Sequence, residues 1–331
     1  MRIRFEILLL STSLAILSGC SPVPAEKGFS TPVPAEKGFS IPPDLVPKQP
    51  LQSQDGYNSS GSLLYVSNFK RKSVNFYSYP ALKLVGEIPV TPYSVTGSCS
   101  DGAGNVWIVT ESAGAGTLTE YAHGGTTPIS TLPVPGTDAY LCTVDRSTGT
   151  LAVAYDGYDV AVYQNEQSSP QTFEDESVGG IHSMTYDTKG NLYIYGAPSG
   201  AQPVLGELAN GGSAFSNQTF AKTMQRATFA QWHGNNILLG GITSIGRKTV
   251  TETVWAATIS KSAIKVTHSQ TFTVTGGTSI GQNALVQGKT LIQQDGNGKT
   301  IYFFNFPAGG QPIRSLQNSR SSTITTLTLS S

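Results

Sequence analysis

The chain has 331 residues, with 36 Gly, 19 Pro and only 13% charged side chains, a length and composition that fit one large all-β domain. Lys and Arg number 21 and Asp and Glu also number 21, so no net field draws the chain onto nucleic acid, which is not an expected partner. Three Cys and four His form no close-spaced metal motif, and neither a nucleophile elbow nor a phosphate-cradling glycine loop is present.

At the N-terminus, Arg2 and Arg4 precede a mostly apolar stretch from Ile7 to Ile16, the layout of a secretory signal too short to span a bilayer. The stretch closes on Leu17, Ser18, Gly19 and Cys20, which resembles the lipobox of bacterial lipoproteins. That resemblance implies a signal peptide over 1–19 and a diacylglycerol on Cys20, with palmitate-type chains making the membrane a partner. An ordinary signal with an incidental Cys is the alternative. Two or more acyl chains suffice for stable anchoring, since each buried methylene contributes about 0.8 kcal/mol. Ser21 resembles the outer-membrane sorting signal of Gram-negative lipoproteins, so the implied location is extracytoplasmic, on the bacterial cell envelope.

Residues 22–30 read PVPAEKGFS, and residues 32–40 repeat them. Proline-rich, weakly apolar sequence continues to about residue 60 and cannot bury enough surface to offset chain entropy. Residues 20–60 are therefore expected to be a lipidated, disordered tether, spanning on the order of 35 Å as a coil and more when stretched by Pro. A docking role for the duplicated peptide is the alternative.

From residue 61 onward, six short apolar strands recur: LLYVSN at 63, NVWIVT at 105, TLAVAY at 150, NLYIYG at 191, NILLGG at 236 and TLIQQD at 290. Asp101, Asp145 and Asp187 open the turns before three of them, supplying hairpin chemistry. Aromatic hairpins follow at 74, 118, 160 and 302, so each unit holds four strands. A period of roughly 40 to 55 residues with four strands per unit predicts a six-bladed β-propeller over 61–331. The first apolar strand has no inner strand ahead of it, whereas the chain ends in the orphan SSTITTLTLSS; residues 321–331 are predicted to close blade one. Gly-Gly pairs at 124, 179, 211, 240, 276 and 309 recur with the blades and read as turns or close backbone approach. The phrases LYVSN, EYAHGGTTPI and YLCTVD are similar to bacterial extracytoplasmic propellers of the NHL or SMP-30-like type, a resemblance that covers 61–331 and implies a fold more than an activity.

Cys99 and Cys142 stand at matching positions one blade apart. In an oxidising compartment they could bridge blades two and three, or they could fill space as Met184 and Phe229 do at the corresponding later positions, the reading those replacements favour. His123 and His233 fall in turns and are expected to be solvated. His182, at the start of an inner strand, is the His placed to approach a central channel. Asp138, Glu174 and Glu176 are candidates to gather at the channel mouth and hold Ca²⁺, against the blander reading of a solvated loop. Lys70, Arg71 and Lys72 read as a charged hairpin tip. No catalytic residue, resident metal or cofactor is expected. The leading expectation is a lipid-anchored, monomeric, non-catalytic propeller that binds a protein, peptide or glycan. The alternative is a propeller hydrolase or lyase, SMP-30-like or streptogramin-lyase-like, with a metal in the channel.

Overall fold

The structure is a computed structural model that describes residues 61–331 apart from 92, 165–168, 199–200, 261–262, 277–279 and 319–322. The expected signal peptide, Cys20 and tether lie outside the described residues.

Six four-stranded antiparallel sheets make up the domain. Blade one contains β1 (Leu63–Asn68), β2 (Ser73–Ser78) and β3 (Leu84–Pro89). Blade two is β4 (Ser94–Ser100), β5 (Val106–Ser112), β6 (Ala115–Tyr121) and β7 (Pro128–Val134). Blade three is β8 (Leu141–Val144), β9 (Leu151–Tyr155), β10 (Asp159–Tyr163) and β11 (Gln171–Glu174), followed by a 3-10 turn at Glu176–Val178. Blade four is β12 (Ile181–Tyr186), β13 (Leu192–Gly196), β14 (Val204–Leu208) and β15 (Ser216–Thr219). Blade five is the tallest, with β16 (Arg226–His233), β17 (Asn236–Ile245), β18 (Thr249–Ser260) and β19 (Ala263–Thr275). Blade six is β20 (Ile280–Gln287), β21 (Thr290–Asp295), β22 (Thr300–Asn305) and β23 (Arg314–Gln317). The last strand, β24 (Leu327–Ser330), returns to blade one and pairs antiparallel with β1, from Leu63 opposite Ser330 to Val66 opposite Leu327. The predicted six-bladed ring closed by the C-terminal strand is the observed one.

The six apolar repeats are the second strands of the blades. They are buried without alternation, as in LLYVSN and LAVAY, because each sheet is covered by a neighbouring blade on both faces. The turns ahead of them are set by the expected acids: the Asp101 carboxylate accepts from the Asn105 backbone N–H at 2.8 Å, and that of Asp187 from the Asn191 N–H at 2.9 Å. Gly124, Gly179, Gly211, Gly276 and Gly309 take positive φ, whereas Gly240 marks a close approach: a Cβ there would lie 2.4 Å from the Phe229 ring.

The core consists of six apolar clusters, one in each seam between blades. In the first seam Tyr65 and Phe76 face Val106 and Ile108; in the last, Ile292 and Phe303 face Ile324, Leu327 and Leu329. Across the seam between blades two and three, Cys99 and Cys142 are bonded, with Cα atoms 5.6 Å apart, rather than standing as separate apolar fillers.

Antiparallel order sorts the connections onto two faces. Turns from second to third strands and from each outermost strand to the next blade lie on one face, called upper here. The lower face carries the inner-to-second and third-to-outermost turns, the entry of the chain at Gly61 and the C-terminus. There His123, expected in a solvated turn, instead fastens the closure: Nδ1 meets the Ser330 hydroxyl and Nε2 lies 3.0 Å from the Gly61 carbonyl oxygen.

Candidate functional site: the channel and the upper face

The six inner strands surround a cavity of about 470 Å³ that extends to the lower turns at Asp145–Ser147 and Asp187–Thr188. Its wall is rich in hydroxyl and amide groups, most of which point across a seam to the next blade. The Ser98 and Thr328 hydroxyls meet at 2.7 Å, and Ser100 donates to the Leu329 carbonyl at 2.8 Å. Ser183 donates to the Ala230 carbonyl at 3.1 Å, and the Gln231 amide both donates to the Val286 carbonyl at 2.9 Å and accepts from its N–H at 2.6 Å. The Asn283 amide donates to the Thr325 carbonyl. These side chains bolt the ring together, which leaves few of them to meet a ligand.

The two acids at the lower end are likewise engaged. Burial pushes the Asp145 carboxyl up, but hydrogen bonds from Ser147 and Thr148 outweigh it and hold the group below its ordinary value. Asp187 is tied to Lys189 and Asn191. The Arg146 guanidinium, donating to the Ser100 hydroxyl at 3.2 Å, is the cation in this wall.

None of Asp138, Glu174, Glu176 and His182 lines this cavity. His182 is turned into the seam between blades four and five, where its Nδ1 lies 3.1 Å from the Ala227 carbonyl oxygen, and desolvation lowers its pKa. Asp138, Glu174 and Glu176 are exposed on the upper rim of blade three. Among the described residues, no group of three or more His, Cys, Asp or Glu side chains is placed to hold a metal ion. The acid between the two candidates, Asp175, is the buried one: it caps the 3-10 turn through Ser177 and accepts from the Asn217 amide at 3.1 Å.

One buried acid carries no sequence signal. Glu252 of β18 is fully buried beside the seam between blades five and six, accepting the Thr228 hydroxyl on Oε1, while Oε2 makes no hydrogen bond of good geometry among the described residues. Burial pushes its pKa up to about 7, against the pull of Thr228, Gln293 and Arg226. Between the ordinary Glu value and about 7 the unfolded chain gives up this proton and the folded one keeps it, so rising pH weakens the fold by about 3 kcal/mol across that window. Glu252→Gln is expected to remove that contribution. Its melting temperature should decline less from pH 5 to pH 7.5 than that of the wild type, and an unchanged slope would contradict the assignment. His182, with a lowered pKa, acts in the opposite sense in both proteins, so their difference isolates Glu252.

The upper face holds what the channel lacks. Phe69 at 42%, Tyr93 at 42% and Ile245 at 51% exposure stand on it among charged turns. Between residues 94 and 180, blades two and three, the chain carries eleven Asp or Glu and one basic residue, Arg146, which is at the lower end. Blades five, six and one, with the connections flanking them, residues 220–331 and 61–89, carry fourteen Lys or Arg against three acids. Net neutrality thus conceals a ring that is acidic on one side and basic on the other. Counting charge by repeat unit, rather than over the whole chain, would have found it.

No protein-family profile matches the chain, and no curated protein matches it in sequence. Solved structures do match in shape. A chain of the nidogen/laminin complex superimposes with a TM-score of 0.64 at 10% identity, covering 82% of this chain and 99% of that one. A protein of unknown function from Bacteroides caccae gives 0.56 at 12% identity, with 82% and 99% covered. Hydrazine synthase from Kuenenia stuttgartiensis gives 0.50 at 12% identity over 71% of this chain and 70% of that chain. At such identities the likeness is one of fold: the chain is a six-bladed β-propeller.

Proposed function

We propose that the chain is a non-catalytic binding or scaffold module of the NHL or SMP-30-like kind. In this reading it is anchored to a bacterial cell envelope through lipidated Cys20 and engages a protein, peptide or glycan with its upper face. The observation that carries the reading is the engagement of the channel wall: its polar groups close the ring, so recognition falls to exposed side chains outside it, and Phe69, Tyr93 and Ile245 stand among the charged turns of the upper face.

Two experiments test this. Crosslinking and pull-down from envelope membranes should capture a partner through the upper face, and the absence of any copurifying partner would count against the reading. Separately, Cys20→Ser should abolish acyl labelling and move the protein from the membrane pellet to the soluble fraction; retention in the pellet would refute anchoring at Cys20.

A further inference from the structure

The upper face is divided by sign. On its acidic side are Glu111 at the end of β5, Asp138 in the connection to blade three, Asp156 and Asp159 at the β9–β10 turn, and Glu174 and Glu176 at the exit of β11. Asp159 and Glu174 are direct cross-strand partners, an arrangement in which like charges repel. Desolvation and the nearby Asp156 charge both raise the Asp159 pKa. On the basic side are Lys70, Arg71 and Lys72 in the β1–β2 turn, Lys299 in the β21–β22 turn, and Arg247 and Lys248 at the tip of the tall β17–β18 hairpin. Near these cations Glu252 is buried, and Asp295, which accepts from the Lys299 and Thr300 amides, and Glu87 are the remaining acids. The ring order sets blades two and three across from blades five and six, so the acids there and the cations Arg247, Lys248 and Lys299 cannot neutralise each other within one molecule, whereas Lys70, Arg71 and Lys72 of blade one lie next to blade two.

We infer that the upper face docks a second copy of this chain. A two-fold axis in the plane of the face, perpendicular to the line from blades two and three to blades five and six, lays the acidic blades two and three of each copy on blades five and six of the other. Both contacts form together, the cross-strand repulsion at Asp159 and Glu174 is relieved by cations, and Phe69, Tyr93 and Ile245 come between the surfaces. This deepens the reading of the upper face as the binding surface by naming its occupant.

Sedimentation velocity of the purified chain should show a concentration-dependent dimer at 50 mM salt that dissociates at 0.5 M, because exposed charges are screened within a few ångströms there. Two charge-reversed variants test the geometry: R247E/K248E/K299E, and D156K/D159K/E174K. Each alone should bind itself at least about 100-fold more weakly than the wild type. Mixed in equal amounts, the two should recover a dimer, an outcome that damaged folding cannot imitate. A wild type that stays monomeric at low salt and millimolar concentration overturns the inference, as does a mixture that fails to associate while both variants keep the wild-type circular dichroism. Monomers captured instead by anionic lipid vesicles would assign the basic side to a membrane and equally overturn it. An envelope partner captured by a strictly monomeric chain would leave the binding reading standing and remove only self-docking.

Discussion

Removing the last ten residues is expected to leave a chain without a cooperative thermal transition. The deletion takes the whole of β24, the inner strand of blade one, and with it the pairing of Leu63–Val66. Ile324, Leu327 and Leu329, all buried in the seam with blade six, go with it. At about 1.5–3 kcal/mol per buried aliphatic side chain, those three alone contribute roughly 5 to 9 kcal/mol. That is comparable to the total stability of an ordinary domain, about 5–15 kcal/mol. The loss also strips hydroxyl partners from Ser67 and Ser98 and exposes β1 as an unpaired edge that can pair between molecules. Circular dichroism melting and gel filtration read the result directly. A truncated protein that melts within a few degrees of the full chain would show that the ring does not depend on this closure.

The second large effect belongs to the bond between Cys99 and Cys142. The two residues are 43 apart in sequence, and cross-linking a loop of that length restricts the unfolded chain by about 4 kcal/mol. Cys99→Ala with Cys142→Ala, or reduction of the native protein, should therefore lower the melting temperature by roughly 7 °C. Mass spectrometry of the alkylated protein with and without reductant checks the bond itself. Modification of both thiols without reductant would contradict it; an intact bond whose loss leaves the melting temperature unchanged would contradict the energetic assignment. The double variant is the informative one, because it removes both sulfurs and leaves no free thiol in the seam.

Blade number, strand positions and closure could be read before any coordinates because their causes are local. A turn such as DTKGN positions its own strand through contacts within five residues, and the burial of LYIYG follows from its composition. The orphan strand at the C-terminus was legible because a count of strands came out one short in blade one. The site candidates were legible only as types. His182 was expected to approach the channel and Glu174 and Glu176 to gather at its mouth, whereas His182 turns into a seam and the two acids stand exposed on the rim of blade three. Their directions depend on neighbours 45 or more residues away, such as Ala227 for His182, and no sequence pattern reports those.

How many sheets form, where each turn falls and which strand must come home follow from side-chain period and turn chemistry along a few residues. Tertiary structure alone decided the burial of Glu252 and the pairing of Cys99 with Cys142. A charge count by repeat unit reports which blades are acidic and which basic, but closing the circle is what sets Arg247, Lys248 and Lys299 of blades five and six across from the acids of blades two and three. Coulombic fields add over distance in space, not along the chain, so a protein whose charges cancel in the count can still present two opposite faces to a partner.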